Sequence, residues 1–266
     1  MFNTESANKT VIWGVYQYGM YRSTVRSAMQ IKTFVSFSLI ALMVMAVLGF
    51  KVMNSRDFQL FGKIVSQVTT DDRVVALTLD DGPSIQYTDE VLKILNEYDV
   101  KATFFVVGQE THRFKEQAKS IVQHGHELGN HSYTHPRMVF KTLSTIRQEI
   151  EKTDEAIRAV GYQGDIHFRA PYTKKLLILP WYLASTNRLN ISWSVGPDSR
   201  KNSKLPKDPN TMTQYVLENI QPGSIILLHV MYENGEASRQ ALPMIIEAVK
   251  AKGYRFVTIS ELLQHD

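Results

Sequence analysis

From Arg73 to the C-terminus the chain alternates two kinds of apolar segment, and this alternation constrains its fold more than any other feature. Val74–Leu79 is a continuous β-branched and apolar run that stops at Asp80-Asp81-Gly82-Pro83. Thr88–Glu97 then places Val91, Leu92, Ile94 and Leu95 at helical spacing. The pattern continues with strands predicted at Ala102–Val107, Ile166–Arg169, Ile191–Val195, Ser224–Val230 and Phe256–Ile259. Between them, helices are predicted at Phe114–His124, Leu143–Val160, Lys174–Ser185, Met212–Ile220 and Arg239–Ala251. Gly161 and Gly253 stand just past two of these helices, where a left-handed cap belongs. About seven strands separated by helices imply a single α/β domain with a mainly parallel sheet. A full eight-unit barrel takes about 250 residues. Residues 73–266 are fewer, so the expectation is a deformed (β/α) barrel of about seven units.

A different signal precedes it. Thr33–Phe50 runs 18 residues without a charge, which as a helix spans roughly 27 Å, close to a hydrocarbon core of about 30 Å. Residues 1–54 carry Lys9, Arg22, Arg26, Lys32 and Lys51 against Glu5, and so hold the whole formal excess of +4. The domain that follows is neutral. The basic balance is therefore a topology signal, with the N-terminus cytoplasmic and the rest outside, and a nucleic-acid partner is not expected. Residues 1–32 read as a cytoplasmic segment, 33–53 as a signal-anchor, 54–72 as a linker and 73–266 as the domain. A cleaved signal peptide is the competing reading, because Val47-Leu48-Gly49 offers small residues near a cleavage position and Met20 or Met29 would make a shorter start. In either case the domain works outside the cytoplasm, periplasmic or extracellular. The absence of cysteine excludes disulfides, a thiolate metal site and a cysteine nucleophile.

Polar residues gather where predicted strands end, the place where barrels and open α/β sheets build their sites. Asp80 and Asp81 close the first strand, and two adjacent carboxylates cannot both be buried unpaired without severe desolvation. Read alone, Asp-Asp-Gly-Pro is equally a surface turn. His131-Ser132-Tyr133-Thr134-His135 places two imidazoles at i and i+4, one face of a helical turn, close enough to share a metal ion. His124 and His126, just upstream, read as solvated or capping groups. Arg169, in Phe168-Arg169-Ala170-Pro171-Tyr172, is placed to grip a carboxylate. Trp193 and Asp198 follow the next strand, and His229 ends the apolar run Ser224-Ile225-Ile226-Leu227-Leu228.

Taken in order, TLDDGP, HSYTH, FRAPY, a Trp-bearing strand end and LLH resemble the five motifs of the polysaccharide deacetylases, the NodB-homology group also called carbohydrate esterase family 4. The resemblance covers roughly Arg73 to Leu263. It implies a metal-dependent hydrolase that removes N-acetyl groups from an amino-sugar polymer such as peptidoglycan or a chitin-like glycan. Asp81, His131 and His135 would hold one divalent metal, with zinc expected. Asp80 would be the base, Arg169 its holder, His229 the acid, and the Tyr172 backbone N–H an oxyanion donor. Pro171, Trp193 and Leu227 would line the substrate pocket.

These roles match what amide hydrolysis requires. Water is a poor nucleophile until a cation lowers its pKa from 15.7 to about 7. The leaving nitrogen needs a proton, and the tetrahedral oxyanion needs a positive partner. The sequence departs from the family pattern at Leu79, at Thr173-Lys174-Lys175 after motif three, and most of all in motif four. There the aspartate that tunes the acid histidine is matched only if Asp198 fills it after a one-residue shift. The readings left open are another acetylated glycan such as xylan, a cyclic amide, and a non-catalytic glycan-binding protein that keeps the fold.

Overall fold

The computed structural model describes the backbone of residues 4–199 and 207–266, and the side chains of the first helix mainly from Lys32 onward. The chain falls into two compact units, residues 1–51 and 52–266. The first unit is helical: α1 spans Thr4–Asn54. Its stretch Lys32–Asn54 is long and apolar enough to cross a membrane, and no residue of its apolar window is buried.

The second unit is built on parallel strands: β1 (Ile64–Val65), β2 (Val74–Asp80), β3 (Thr103–Val106), β4 (Glu127–Asn130), β5 (Asn190–Ile191), β6 (Ile225–Leu228) and β7 (Arg255–Val257). β2 is central. It pairs with β3 in the register Leu79–Phe104, with β6 as Thr78–Leu227 and with β7 as Val75–Phe256, while β3 pairs with β4 and β1 with β5. Single parallel bridges continue the sequence from Asn130 to Phe168, from Phe168 to Asn190 and from Val195 to Ile226. The pairings thus lead from β4 back toward β6, the barrel-like arrangement expected from the alternation.

The two-residue period of a strand separates the faces of β2. Val75, Leu77 and Leu79 pack outward into the core shared with helices α2 (Thr88–Glu97), α4 (Lys115–Gln123), α7 (Pro209–Asn219) and α8 (Glu236–Ala251). Val74 and Ala76 point the other way, into an inner cluster with Phe105, Trp193, Ile225 and Leu227. Thr78 and Asp80 continue that inner row, so the barrel interior turns from apolar to polar toward the C-terminal strand ends.

Several elements differ from expectation. The run Ile166–Arg169 forms no extended strand and contributes the two bridges of Phe168, to Asn130 and to Asn190. The helix expected from Lys174 begins at Ile178. α3 (Gly108–Arg113) and β4 were not anticipated. α3 is polar throughout, and β4 (Glu-Leu-Gly-Asn) has no β-branched residue. It holds as a strand because Glu127 is buried against hydroxyls: it accepts from Thr103 Oγ1 at 2.9 Å and from Ser260 Oγ at 2.8 Å. Residues 54–72 contain β1, and Val65 and Val68 are buried in the inner cluster. His126, expected to be solvated or capping, is buried. Its Nδ1 accepts the Ala102 N–H at 3.2 Å, and desolvation, with Lys101 and His124 nearby, holds its pKa down to about 3.

Candidate active site

A cleft of about 1320 Å³ opens at the C-terminal ends of the strands, and Asp80, Asp81, His131, His135 and His229 all line it. Asp80 is the last residue of β2, on the inner row, and is buried. Its Oδ1 accepts from Arg169 Nη1 at 2.5 Å. The guanidinium is itself buried. It donates to Thr78 Oγ1 at 2.8 Å, to the Ile191 carbonyl at 3.1 Å and to the Ser192 carbonyl at 2.9 Å, and lies 4.0 Å over the Phe105 ring. Three segments, β2, β3 and the one at β5, therefore meet on one cation, whose buried charge is offset by Asp80 and by these acceptors. Burial pushes the Asp80 carboxyl up, but the charges of Arg169, His131 and His229 and the Arg169 hydrogen bond bring it below its ordinary value. The group is ionised at neutral pH.

Asp81 leaves the strand at φ 68°, and Gly82 follows at 74°. This left-handed pair swings the second carboxylate toward the histidines. Gly82 has no room for a side chain, since a Cβ there would stand 2.7 Å from Met231 Cβ. Asp81 Oδ1 lies 3.3 Å from His135 Nε2 and 3.9 Å from His131 Nε2. One ligand atom from each of the three residues falls within 4.8 Å of the others.

The histidines do not sit on a helical turn, as their spacing implied. Ser132 and His135 adopt left-handed φ values of 64° and 55°, and the loop is pinned from outside. Glu149, on α5 (Leu143–Ala159), accepts from the Tyr133 N–H at 2.9 Å, the Thr134 N–H at 2.8 Å and Thr134 Oγ1 at 2.7 Å. Asn130 accepts from the Ser132 N–H at 2.8 Å. Neither role had a signal in the sequence, because a helix-surface glutamate and a strand-end asparagine are unremarkable until the loop folds over them.

The donor set suits a divalent cation. His131 Nδ1 stands 2.8 Å from the Arg169 carbonyl, an acceptor only, so this nitrogen carries a proton and Nε2 is the atom turned toward Asp81. Burial, with His131 beside it, pushes the His135 pKa down to about 4, leaving a neutral imidazole. Two atoms bound tetrahedrally about 2.0–2.1 Å from one ion stand roughly 3.3 Å apart. The Asp81–His135 spacing of 3.3 Å matches that, and the Asp81–His131 spacing of 3.9 Å is wider.

Across the cleft, Asp198 pairs with His229. Its Oδ1 lies 3.1 Å from His229 Nδ1, while Oδ2 accepts the His229 N–H at 2.7 Å and Ser238 Oγ at 2.8 Å. Desolvation lowers the His229 pKa, but the charge and hydrogen bond of Asp198, with Asp80 and Asp81 beyond, raise it to about 9. Ser238, which fixes the far side of Asp198 from α8, carried no sequence signal.

Trp193 and Leu227 line the cleft, and Trp193 Nε1 is buried with no hydrogen-bond partner among the described residues. Tyr172 also lines it, at φ 56° and with its ring 4.6 Å from that of His135. Pro171 is buried and lies outside the cleft lining.

The family model for polysaccharide deacetylase matches residues 67–187. A peptidoglycan-N-acetylglucosamine deacetylase of Bacillus cereus is 35% identical over 191 residues, covering 71% of this chain and 68% of the relative. A crystal structure of a peptidoglycan N-acetylglucosamine deacetylase bound to an N-hydroxybenzamide superposes with TM-score 0.70 at 32% identity, over 76% of this chain and 94% of that one. A CE4 family pseudoenzyme from Bacillus anthracis superposes with TM-score 0.68 at 31% identity, over 77% and 70%. Likeness to both an enzyme and a pseudoenzyme leaves the cleft residues as the discriminating feature. The chain belongs to the polysaccharide deacetylase family, carbohydrate esterase family 4.

Proposed function

We propose that the chain is a metal-dependent deacetylase that hydrolyses N-acetyl groups on an amino-sugar polymer of the cell envelope, peptidoglycan first among them. The observation that carries this reading is one cleft holding a three-ligand cluster, a carboxylate locked on a buried arginine and a histidine locked on a carboxylate. The names of the relatives support the choice of peptidoglycan. Residues 33–53 would anchor a domain at 73–266 outside the cytoplasm, with 54–72 packed against it.

In this account Asp81, His131 and His135 hold one divalent cation, zinc for preference given the imidazole-rich set. When bound it polarises the acetyl carbonyl and makes water a competent nucleophile at neutral pH. Asp80, kept ionised and immobile by Arg169, takes the proton of the attacking water. The water oxygen ends on the acetyl carbon, the carbon–nitrogen bond breaks, and His229 gives its proton to the departing nitrogen. The products are acetate and a free amino sugar. The imidazolium of His229 is suited to that donation because Asp198 keeps it charged. The Tyr172 N–H serves as an oxyanion donor, and Trp193 and Leu227 form an apolar seat for the acetyl methyl.

The test is acetate release by the zinc-loaded full chain from peptidoglycan, chitin oligomers and acetylated xylan. Release from the N-acetylated glycans supports the reading. Release from xylan alone makes it an esterase of another glycan. No release from any of the three, with metal bound, makes it a binding protein or a hydrolase of some other amide.

A further inference from the structure

Residues 54–62 run along the segment that leads into α6 (Ile178–Ser185), and the two are fastened at both ends. At one end Lys174 Nζ donates to Asn54 Oδ1, and the fully buried Lys175 donates to the Ser55 carbonyl. At the other, Gly62 packs so closely on α6 that a Cβ there would stand 3.1 Å from Ala184 Cβ. Between these fastenings both segments turn large apolar side chains to solvent. Phe58, Leu60 and Phe61 face out from one, and Leu177, Ile178 and Trp181 from the other, each between 38% and 52% exposed. Six such residues on two segments fastened side by side exceed the scattered exposure normal for a soluble domain and point to an interaction face.

Sequence position identifies what covers it. The apolar stretch of α1 ends at Asn54, and Phe58 follows four residues later. At about 3.3–3.6 Å per residue, Phe58 cannot stand more than roughly 14 Å beyond the end of that stretch. The composition also fits a lipid interface, where tryptophan and other aromatic rings collect at headgroup depth. We propose that this face rests on the bilayer that α1 enters, with Trp181 and the phenylalanines at the boundary between headgroups and acyl chains. Met53, Asn54 and Arg56, from the same fastened segment, line the active-site cleft. Seating the face on lipid therefore fixes how far the cleft stands from the membrane, and the glycan it takes is one that lies against that surface.

This proposal rests on the anchor reading, and one preparation separates the two. The full chain is reconstituted into vesicles of phosphatidylethanolamine and phosphatidylglycerol, with and without lipids brominated near the top of the acyl chain. Flotation with the vesicles tests the anchor. The Trp181 contribution is isolated by subtracting the emission of Trp181→Phe, which retains Trp13 and Trp193. Brominated lipid is expected to remove roughly half or more of it, since an interfacial apolar face sinks about 5–10 Å into the boundary region. Trp181 emission indifferent to bromine in a chain that floats overturns the proposal and leaves the anchor standing. Indifference with a doubled mass in detergent assigns the face to a second copy, and indifference with a shift on adding chitin oligomers assigns it to glycan. A chain that does not float overturns the anchor reading and the proposal together.

Discussion

Asp80 and Arg169 are both buried, and each is the other's charged partner. Removing one leaves an uncompensated buried charge, so Arg169→Ala is expected to destabilise the domain by about 3–5 kcal/mol. Denaturant unfolding measures this, and adding Asp80→Asn should recover part of the loss, the coupling a double-mutant cycle reports. His229 makes a second residue-scale prediction. An acid with a pKa raised to about 9 predicts a fall in kcat/KM on the alkaline side, at or below pH 9, because a cation bound near Asp80 and Asp81 offsets their share. Asp198→Asn should move that limb toward the ordinary histidine value of about 6.5 in a pH–rate profile. The sign for stability follows from the raised pKa. The interaction stabilises fully below pH about 6.5 and is lost as pH rises through about 9. That Asp80, Asp81, His131, His135 and His229 gather in one cleft, with Arg169 on Asp80, was legible in the sequence because each stands in a compact motif at a strand end. The pairing of Asp198 with His229 was legible only as an alternative, since it spans 31 residues of sequence. Glu149 and Ser238 were not legible, because their significance depends on loops that fold onto them.

Among the elements, β2 carries both the core and the site, with alternate residues serving each. Leu77, fully buried on the outer row, predicts a cost of about 2–5 kcal/mol on replacement by alanine, with the cleft geometry and metal content unchanged. Gly82 predicts a different outcome. Its φ of 74° and the 2.7 Å approach to Met231 Cβ strain any side chain, so Gly82→Ala should cost about 1–3 kcal/mol. It should also lower metal occupancy by displacing Asp81, which metal titration of the purified variant would show. The long periodic helices were readable because burial on one face imposes a period, and the continuous apolar strands because burial on both faces leaves a near-unbroken apolar run. β4 and α3 were not, because polar contacts and position, rather than apolar period, hold them.

For the whole molecule, the excess positive charge lies in the first 54 residues, while the domain places acidic and imidazole groups around one cleft. A cation bound there links elements from across the barrel: β2, the loop after β4 and, through the His131–Arg169 contact, the segment before α6. Zinc at about a hundred times its dissociation constant should therefore stabilise the folded chain by about 2.7 kcal/mol, and His135→Ala should abolish both that gain and stoichiometric zinc. Thermal unfolding with elemental analysis checks both. The barrel-like architecture was legible from the alternation of segments. The packing of residues 54–72 onto the domain was not, because Val65 and Val68 are too few to set a period. The central claim is that this cleft hydrolyses an acetamide with Asp80 as base. The most direct measurement is acetate release from N-acetylglucosamine oligomers by the zinc-loaded chain and by Asp80→Asn, with zinc content determined in both. The account predicts release by the native chain and a loss of about 10²–10⁴-fold in the variant at equal zinc occupancy. Equal rates in the two proteins would contradict it.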